Sequence, residues 1–388
     1  MPPDDHGGRT MQLTARQESL FAEARSYVAQ DIAPYAGSWD ENQAVPEEAV
    51  TGFAARGHLG ALVPREYGGA GLDAVSFGLL NEAVGYGCSS MRSLLTVHSM
   101  VVHAVTRWGS ERQRAHWLPR LASGESVGAF GLSEAEAGSD AGRLRTTAER
   151  LPEGGYTLTG HKMWTTFGQR ADVYLVFARL DGRITAFLVG RDAPGLEVVP
   201  VTGMLGTRAS LLAELRLEDC RVPADAVVGR PGFGLSAVAT SALDIGRYSV
   251  AWGCVGLLAA CADASMAHAD ERVQFGKPLG EHQLVRRMIA DMVTDTTAAR
   301  LLCLRAGRLK DAGDPATVNA TWMAKYFSSV KAFRAAADTV QIFGAAGCAE
   351  GHPAQRMLRD AKVMEIIEGS TQVQQDYLAQ AALRERAV

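Results

Sequence analysis

A segment near the C-terminus, EIIEGSTQVQQ (residues 365–375), raises the first chemical question. It places a single acid, Glu368, between two isoleucines and a Gly-Ser-Thr break. Acidic side chains are rarely buried unless they have a partner or a chemical task. Apolar neighbours such as Ile366 and Ile367 would raise the pKa of this carboxyl. Glu368 is therefore either a carboxylate with a chemical task or an ordinary acid at a helix end.

Three further stretches contain residues that could hold a ligand. AFGLSEAEAGSD (129–140) combines small residues and hydroxyls, so its backbone N–H groups can approach polar ligand atoms closely. If KMWTT (162–166) is a strand, Trp164 and Thr166 lie on the same face. There the tryptophan ring could pack over a planar heterocycle, and the threonine hydroxyl could form a hydrogen bond with one of its nitrogens. ERVQFGKPLGEHQ (271–283) places an arginine at a helix end before a Gly-Lys-Pro break. Taken singly, these stretches also fit structural roles: a polar loop, a core tryptophan and a solvated turn.

Other catalytic and binding motifs are absent or out of context. GESVG (124–128) matches the G-x-S-x-G pattern of serine hydrolases, but that pattern needs a preceding strand and here it follows the helical pattern RQRAHWLPRLA. No G-x-G-x-x-G follows a first strand, so a dinucleotide, if bound, is not held by a Rossmann motif. The histidines show no HExxH-like pattern and the cysteines no CxxC spacing, so we expect no metal site.

The segments that must position these residues fall into three regions by hydrophobic period. Residues 12–126 predict helices, because apolar residues recur at i, i+3 and i+4 in stretches such as QESLFAEARSYVAQDIAPYA. Residues 127–232 contain short β-branched or alternating runs, such as DVYLVFARL and ITAFLVGRD, which predict strands and hairpins. Residues 233–388 return to long apolar helices, which are typical of a bundle. We expect residues 1–11 to be disordered.

Composition limits the class of protein. A chain of 388 residues with 47% hydrophobic residues can bury a large core, in two or three domains or one multi-layer unit. A formal net charge of −4 argues against nucleic-acid binding and against a polybasic membrane patch. No uninterrupted apolar run reaches the roughly 18 residues of a membrane span, and the start MPPDDHGGRT lacks a signal-peptide pattern. We therefore expect no membrane partner and a cytoplasmic protein with reduced cysteines.

Taken together and in their order along the chain, these stretches resemble the acyl-CoA dehydrogenase family of flavoproteins, from about residue 12 to 385. The resemblance implies an α+β multi-domain fold with an N-terminal α-helical domain, a middle β-barrel or β-sheet domain and a C-terminal four-helix bundle. It implies FAD, bound between the middle domain and the bundle, and an acyl thioester as substrate. It also implies that Glu368 removes the α-proton of the thioester while the flavin N5 accepts the β-hydrogen as hydride.

The resemblance assigns further positions to the cofactor. Those near the flavin, its pyrophosphate or the thioester's pantetheine arm are Phe130, Leu132, Ser133, Gly138, Ser139, Trp164, Thr166, Ser370 and Gln372. Those reaching the FAD of a neighbouring subunit are Arg272, Phe275, Gln283, Gln341, Gly344 and Ala345. Because such contacts cross subunits, a homo-oligomer is implied, either a tetramer or a dimer. The implied electron acceptor is an electron-transfer flavoprotein or oxygen.

The family takes its base either from an EGT-like motif or from the helix that here contains DIGR (244–247). The relevant position on that helix is Gly246, which cannot act as a base, so Glu368 is left as the sole candidate. Its backbone N–H and a flavin ribityl hydroxyl are the implied donors to the enolate oxygen. Ser370 stands where the family usually has threonine, and it keeps the hydroxyl.

The stretch GCSSMRSLLTVHSM (87–100) lies where the family lines its acyl pocket. Arg92 stands out there, because a buried guanidinium needs an anionic or strongly polar partner. Glutaryl-CoA dehydrogenase is similar at this point, with an Arg-Ser pair that binds the distal carboxylate of its substrate. This similarity implies substrate contacts at Arg92, Ser93, Ser139, Asp244, Arg247 and Gly369. The alternative is that a protein carboxylate neutralises Arg92.

Two departures weaken a plain glutaryl interpretation. The tail EGSTQVQQ is unlike that of the glutaryl-CoA dehydrogenases. The stretch RTMQLT and the high arginine content look more like dehydrogenases that act on carrier-protein-bound three-carbon units for polyketide extenders of the hydroxymalonyl and methoxymalonyl type. The preferred substrate is therefore a small oxygenated or anionic acyl group on an acyl carrier protein, followed by a glutaryl-type CoA ester and then a simple short-chain acyl-CoA. A flavin monooxygenase or oxidase on the same fold is the alternative of another class, although the presence of Glu368 favours dehydrogenation.

Overall fold

The computed structural model of the protein describes residues 12–385, so the predicted disorder of residues 1–11 lies outside the described part. Its order of elements is helical, then β, then helical, as expected for the three-domain fold. The helices are α1 (Ala15–Asp31), α2 (Ala36–Asn42), α3 (Glu47–Ala55), α4 (Ala74–Gly87), α5 (Ser89–Trp108), α6 (Glu111–Ser123), α7 (Thr240–Glu271), α8 (Gln283–Asp311), α9 (Thr317–Phe343), α10 (Pro353–Met364) and α11 (Thr371–Glu385). The strands are β1 (Gly128–Gly131), β2 (Thr147–Arg150), β3 (Tyr156–Thr165), β4 (Val173–Leu180), β5 (Arg183–Gly190), β6 (Leu196–Pro200), β7 (Ala213–Val222), β8 (Val227–Val228), β9 (Val273–Gln274) and β10 (Lys277–Pro278).

The N-terminal helices begin at residues whose side chains satisfy free backbone N–H groups. Thr14 forms a capping box with Gln17 at the start of α1, and Ser110 forms one with Gln113 at the start of α6. Asp73 accepts a hydrogen bond from a backbone N–H in the first turn of α4. Helices α4 and α5 are buried along most of their length, so they form the central layer of this region.

The middle region is one sheet with the strand order β6-β7-β3-β2-β4-β5-β8, and β1 pairs with β4 in parallel. Strands β4 and β5 are almost entirely buried, which explains their continuous apolar sequences. The loop after β1 meets the end of β3 where the backbone N–H of Met163 donates to the carbonyl of Ser133 at 2.9 Å. The sheet therefore brings the two candidate ligand-binding stretches of this region together.

Helix α7, together with the π-helical turn Gly234–Ala239 before it, is the central helix of the C-terminal region. It packs against α4, α5, α8 and α9. By length and composition it could cross a membrane, although charged residues interrupt its apolar run before 18 residues are reached. The most apolar stretch is 72% buried within the protein, because surrounding helices cover it.

Glycines let α4 and α7 approach each other closely. A Cβ atom built at Gly85 of α4 would lie 2.4 Å from the carbonyl oxygen of Gly253 in α7. One built at Gly256 would lie 2.1 Å from the carbonyl oxygen of Glu82. Real Cβ contacts are never this short, so only glycine fits at these two crossing points. The close contact fixes α7 in the core, next to α5.

Candidate functional site

The Glu368 carboxyl group occupies the space between α5 and α7. Glu368 lies in the turn between α10 and α11, with a left-handed φ of 56°, and Gly369 follows with φ 93°. Its Oε2 atom is buried and has no hydrogen-bond partner in the described part of the chain. A Cβ atom at Gly246 of α7 would lie 2.3 Å from this Oε2 and 2.9 Å from the sulfur of Met100 in α5. The absence of a side chain at Gly246 is therefore what leaves room for the carboxyl.

Burial raises the pKa of Glu368 to about 7, although the positive charges of Arg247, Lys325 and Arg92 act to lower it. The sequence predicted that Ile366 and Ile367 would exclude water from this carboxyl. This prediction is wrong for Ile366, whose side chain is 58% exposed because the turn directs it away from the core. Water is excluded instead by the flanking helices. A carboxyl with a pKa near neutrality is suited to general-base catalysis.

Three side chains hold the backbone of this turn. Arg247 Nε donates to the carbonyl of Glu368 at 3.0 Å. Lys325 Nζ and Gln374 Nε2 both donate to the carbonyl of Gly369, each at 2.9 Å. The N–H of Glu368 donates to no acceptor within residues 12–385. This N–H can therefore bind a carbonyl oxygen, as the resemblance implies.

Sequence reasoning named Arg247 and Gly369 as substrate positions but missed Lys325 and Gln374. Both missed side chains are fully buried. A signal existed for Lys325: it stands in α9 with Thr321 four residues before and Ser328 three residues after, on a stripe of buried small residues. A lysine on such a stripe is rare without a specific task.

Arg92 is fully buried beside the same turn. Its Nη1 donates to Thr96 Oγ1 at 2.6 Å, and its Nη2 lies 3.3 Å from the sulfur of Met364. A Cβ atom at Gly253 would lie 2.1 Å from the Arg92 Cδ, so this glycine makes room for the arginine. No carboxylate of residues 12–385 forms an ion pair with Arg92 within 4 Å. Protein groups therefore bind the guanidinium without neutralising it.

A chain of hydroxyl and amide groups leads away from Arg92. Thr96 Oγ1 lies 2.6 Å from Ser249 Oγ of α7. Ser249 donates to Asn81 Oδ1 at 2.5 Å, and the Asn81 amide donates to the carbonyl of Phe77 at 2.8 Å. Thr96 Oγ1 also lies 3.0 Å from the carbonyl oxygen of Arg92, so its proton can bind either this carbonyl or Ser249. The network links the guanidinium through two hydroxyls and an amide to the carbonyl of Phe77.

Ser93, predicted beside Arg92 as the second substrate ligand, is engaged elsewhere. Its hydroxyl donates to the carbonyl of Ser90 at 2.6 Å and lies 2.9 Å from Ser210 Oγ in the middle region. Consecutive residues of a helix point in different directions, about 100° apart. The hydroxyl next to Arg92 is therefore that of Thr96, one turn further along α5.

The polar groups lie within a short reach of the base. Arg92, Thr96 and Met100 follow one another at one-turn intervals on one face of α5. At 1.5 Å per residue, Thr96 lies roughly 6 Å and the Arg92 backbone roughly 12 Å along the axis from Met100, which, like the Glu368 carboxyl, lies against Gly246. A group bound between α5 and α7 would therefore meet hydroxyls within a few carbon atoms of the base.

Asp244, another predicted substrate position, forms an ion pair with Lys310 Nζ. Its other carboxylate oxygen, Oδ1, is buried and has no hydrogen-bond partner in the described structure. A cavity of about 200 Å³ adjoins this pair. Its lining includes Leu62, Leu72, His103, Thr106, Ile245 and Lys310.

Trp164 projects from an irregular end of β3. The pairing of β3 with β7 shifts register between Lys162 and Thr165, and Trp164 has a left-handed φ of 60°. The expectation that Trp164 and Thr166 share one face of a strand is wrong, because β3 ends at Thr165 within this bulge. The bulge leaves the indole ring 47% exposed. An exposed aromatic face of this kind can pack on a planar ligand.

A buried ion pair fixes the loop after β1, which is bonded to β3 at the residue before Trp164. Lys162 Nζ, which is fully buried, donates to Glu134 Oε1 at 2.7 Å. Glu134 also accepts from the backbone N–H of Arg145 at 2.6 Å and from Thr146. Burial opposes ionisation of Glu134, but these hydrogen bonds hold its pKa at about 2. The carboxylate therefore stays charged and anchors the loop to β3.

This loop fits the cofactor that the resemblance implies. The N–H groups of Ser133, Gly138 and Ser139 donate to no acceptor within residues 12–385. A Cβ atom at Gly138 would meet nothing within 4 Å, so a ligand can come close. Free N–H groups, exposed hydroxyls and an indole face suit a flavin and its pyrophosphate. The remaining predicted positions here are Leu132, which is buried, and Phe130, which packs 5.1 Å from Phe177.

The other predicted cofactor positions lie on a separate, exposed surface. Arg272, Phe275 and Gln283 surround the β9–β10 hairpin, and the Phe275 ring is 96% exposed. Gln341, Gly344 and Ala345 at the end of α9 are exposed as well. Among the described residues, no hydrogen bond or ion pair joins this hairpin to Trp164 or to the loop before it. We call this set, residues 272–283 and 341–345, the hairpin surface.

The last two predicted positions lie at the start of α11. Ser370 Oγ accepts from the N–H of Val373 at 3.4 Å, which caps the helix. Gln372 is exposed. Residues 12–385 contain no cluster of three His, Cys, Asp or Glu side chains that could hold a metal ion.

Comparison with known proteins identifies relatives along the whole chain. Models of the N-terminal, middle and C-terminal domains of acyl-CoA dehydrogenase match residues 14–125, 129–220 and 233–383. An acyl-CoA dehydrogenase of Bacillus subtilis (strain 168) is 36% identical over 370 residues, covering 94% of this chain and 97% of the relative. The structure of FkbI, for biosynthesis of the methoxymalonyl extender unit of a polyketide, aligns at 40% identity with a TM-score of 0.86, covering 94% of this chain and 99% of that one. A glutaryl-CoA dehydrogenase from Mycobacterium smegmatis in complex with FADH2 aligns at 30% identity with a TM-score of 0.90, covering 97% and 96%.

Proposed function

Because the chain belongs to the acyl-CoA dehydrogenase family of FAD-dependent oxidoreductases, we propose that it is an acyl-thioester dehydrogenase in which Glu368 is the base. The observation that carries this proposal is the buried, unpartnered Oε2 of Glu368, directed into the space between α5 and α7. FAD, when bound, supplies the acceptor for the hydride that leaves the β-carbon. The loop of Ser133 and Ser139, with Trp164, would hold it.

In the proposed reaction the chain's own groups act on the α-carbon. Glu368 Oε2 accepts the α-proton, and its pKa of about 7 makes it both ionised and basic near neutral pH. The backbone N–H of Glu368 donates to the thioester carbonyl, where negative charge develops. Arg247 and Lys325 fix this N–H by holding the two carbonyls of the turn. Glu368 thus supplies both the base, through its side chain, and the hydrogen-bond donor to the developing oxyanion, through its backbone N–H.

We propose a small oxygenated or anionic acyl group as substrate, carried by an acyl carrier protein. The buried guanidinium of Arg92 has no carboxylate within ion-pair distance among residues 12–385. A buried cation without such a partner favours a negative or strongly polar ligand. The hydroxyls of Thr96 and Ser249 lie within a few carbon atoms of the base, which suits a short acyl chain better than a long one. The similarity to FkbI supports this class, and the similarity to a glutaryl-CoA dehydrogenase supports a glutaryl CoA ester as the alternative.

The same chemistry can oxidise an oxygenated carbon. A 2,3-dihydroxypropionyl thioester has an α-hydrogen on C2 and a β-hydrogen on C3. Removing the first as a proton and the second as a hydride leaves an enol, which tautomerises to the 3-aldehyde. The reaction therefore requires no co-reactant beyond the hydride acceptor. The proposed partner that later takes up the electrons is an electron-transfer flavoprotein or oxygen.

We also propose that the enzyme is a homo-oligomer, a dimer or a tetramer. The exposed Phe275 ring and the exposed end of α9 support this proposal, because a second subunit would cover them together with its own cofactor.

The test is anaerobic flavin bleaching by matched thioesters in single turnover. The acyl groups are 2,3-dihydroxypropionyl, glutaryl and butyryl, each on CoA and on carrier protein. We expect Glu368→Gln to keep FAD and the fold but to slow bleaching by ~10²–10⁴-fold, the usual cost of losing a general base. Glu365→Gln is the matched control, since Glu365 lies in the same turn but pairs with Lys362 at 2.8 Å. Near-normal bleaching by Glu368→Gln would assign the base elsewhere.

A further inference from the structure

Lys325 is a buried cation that the reaction described above does not use directly. It lies on α9 and is fully buried. Its Nζ donates to the carbonyl of Gly369 at 2.9 Å. No carboxylate of residues 12–385 forms an ion pair with it within 4 Å. Burying an ammonium group whose single hydrogen-bond acceptor is neutral lowers the stability of the fold. An apolar residue would therefore make the protein more stable at this position, unless the charge has a task.

The charged and titratable groups that act on Lys325 come from α7 and from the turn between α10 and α11. Arg247 and Cys254 face it from α7, and Glu365 and Glu368 from the turn between α10 and α11. Burial lowers the pKa of Lys325 to about 8, and the carboxyls and Cys254 oppose this shift. Lys325 in turn acts to lower the pKa of Glu368. The geometry agrees, because Lys325 Nζ binds the carbonyl of the residue that directly follows Glu368.

The contact with Gly369 concerns the backbone on which the base stands. Glu368 and Gly369 both have left-handed φ, a conformation that a glutamate rarely adopts without outside contacts. The conformation directs the Glu368 carboxyl toward Gly246 rather than toward solvent. Gln374 donates to the same Gly369 carbonyl. Since this neutral donor already binds the carbonyl, the distinct contribution of Lys325 is its charge.

We propose that Lys325 is a positioning residue for the Glu368 base, holding the left-handed turn through the Gly369 carbonyl and favouring the ionised carboxylate by its positive charge. The proposal rests on the base role of Glu368 proposed above. It predicts that removing the charge raises the pKa of Glu368, because an opposite charge nearby favours ionisation. The acidic limb of the rate-against-pH profile then moves to higher pH.

Three variants separate the charge from the hydrogen bond. Lys325→Met removes both, Lys325→Gln keeps a donor without charge, and Lys325→Arg keeps the charge. In single-turnover flavin bleaching, we expect the acidic limb of the wild type near pH 7. It should move up by about one pH unit in Lys325→Met and Lys325→Gln, so that bleaching below the limb falls ~10-fold. Lys325→Arg should return the limb to its wild-type position.

A second readout does not depend on turnover. An unreactive CoA thioether binds without proton transfer, so the pH dependence of its dissociation constant reports the ionisation of Glu368. The inflection should shift by the same amount as the rate profile. Lys331→Met is the matched control, because Lys331 lies on the same helix and pairs with Asp295 at 3.0 Å. It should leave both profiles unchanged.

Slower bleaching by the same factor at every pH, with both inflections unmoved, would overturn the proposal and leave Lys325 a purely structural residue. Should Lys325→Met fail to fold, Lys325→Gln decides the question, because it retains the donor to Gly369. The two proposals fail differently. Normal bleaching by Glu368→Gln overturns the assignment of Glu368 as base. If Glu368→Gln loses the reaction but the pH profiles of Lys325→Gln do not move, only the role of Lys325 is overturned.

Discussion

The site around Glu368 and the hairpin surface differ in how many of their contacts come from a single chain. Around Glu368, every positioning contact comes from this chain: Arg247, Lys325 and Gln374 hold the turn, and Gly246 provides the space. At the hairpin surface, the Phe275 ring is 96% exposed and has no comparable enclosure. The contacts that hold the Glu368 turn are therefore made within the single fold. The hairpin surface, in contrast, presents an exposed apolar ring, which the proposed oligomer would cover.

This difference has a consequence for mutations. A change near Glu368 should alter the chemistry or the substrate preference while leaving the cofactor bound. A change at the hairpin surface should alter cofactor binding and assembly while leaving the pH dependence of the base unchanged. The following predictions test this separation, from the largest expected effect to the smallest.

Arg92→Met should exchange the rank of anionic and neutral substrates. If an acidic acyl group binds Arg92, the variant should lose roughly 2–5 kcal/mol of substrate binding or transition-state stabilisation. A butyryl thioester never uses the guanidinium, and the variant removes a buried charge without a carboxylate partner, so its bleaching rate should stay level or rise. The measurement is anaerobic flavin bleaching with glutaryl, 2,3-dihydroxypropionyl and butyryl thioesters. Equal losses for all three would make Arg92 structural.

Gly246→Ala should displace the base without unfolding the protein. The new Cβ would lie 2.3 Å from Glu368 Oε2, and the end of that flexible side chain can move. Since a displacement of about 1 Å can cost ~10²-fold in rate, we expect a loss of this order with FAD content unchanged. Gly37→Ala in α2, where an added Cβ meets nothing within 4 Å, is the control. A variant as active as this control would show that the carboxyl does not work from its observed position.

Phe275→Ala should affect the hairpin surface alone. We expect a several-fold weaker retention of FAD that depends on protein concentration, because subunit dissociation would uncover the cofactor. FAD absorbance after gel filtration at several concentrations measures this, together with the oligomeric state. Tyr35→Ala, another exposed aromatic at 52%, serves as the control. A shift in the acidic limb of the rate profile in Phe275→Ala would break the separation between the two regions.

Much of the fold follows from local sequence. The capping residues Thr14 and Ser110 mark helix starts, and continuous apolar runs mark the buried strands β4 and β5. These features depend on hydrophobic period and on backbone hydrogen bonding within a few residues, so the chain order itself encodes them. Local sequence also singled out Glu368, as a single acid beside a Gly-Ser-Thr break, but its assignment as base and the importance of Gly246 came from the resemblance to the family.

Other features depend on contacts between segments that are distant in sequence, and only the tertiary structure decides them. The source of the low polarity around Glu368 is α5 and α7, not its neighbour Ile366, because the left-handed turn directs consecutive side chains apart. Likewise Thr96, not Ser93, meets Arg92, because helix geometry pairs residues four apart. Lys325 is 43 positions from Glu368 in the sequence, and no local pattern could connect them, since burial and charge act through space. The sequence thus determines which groups can do chemistry, and the packing of α5, α7 and α9 determines which of them act together.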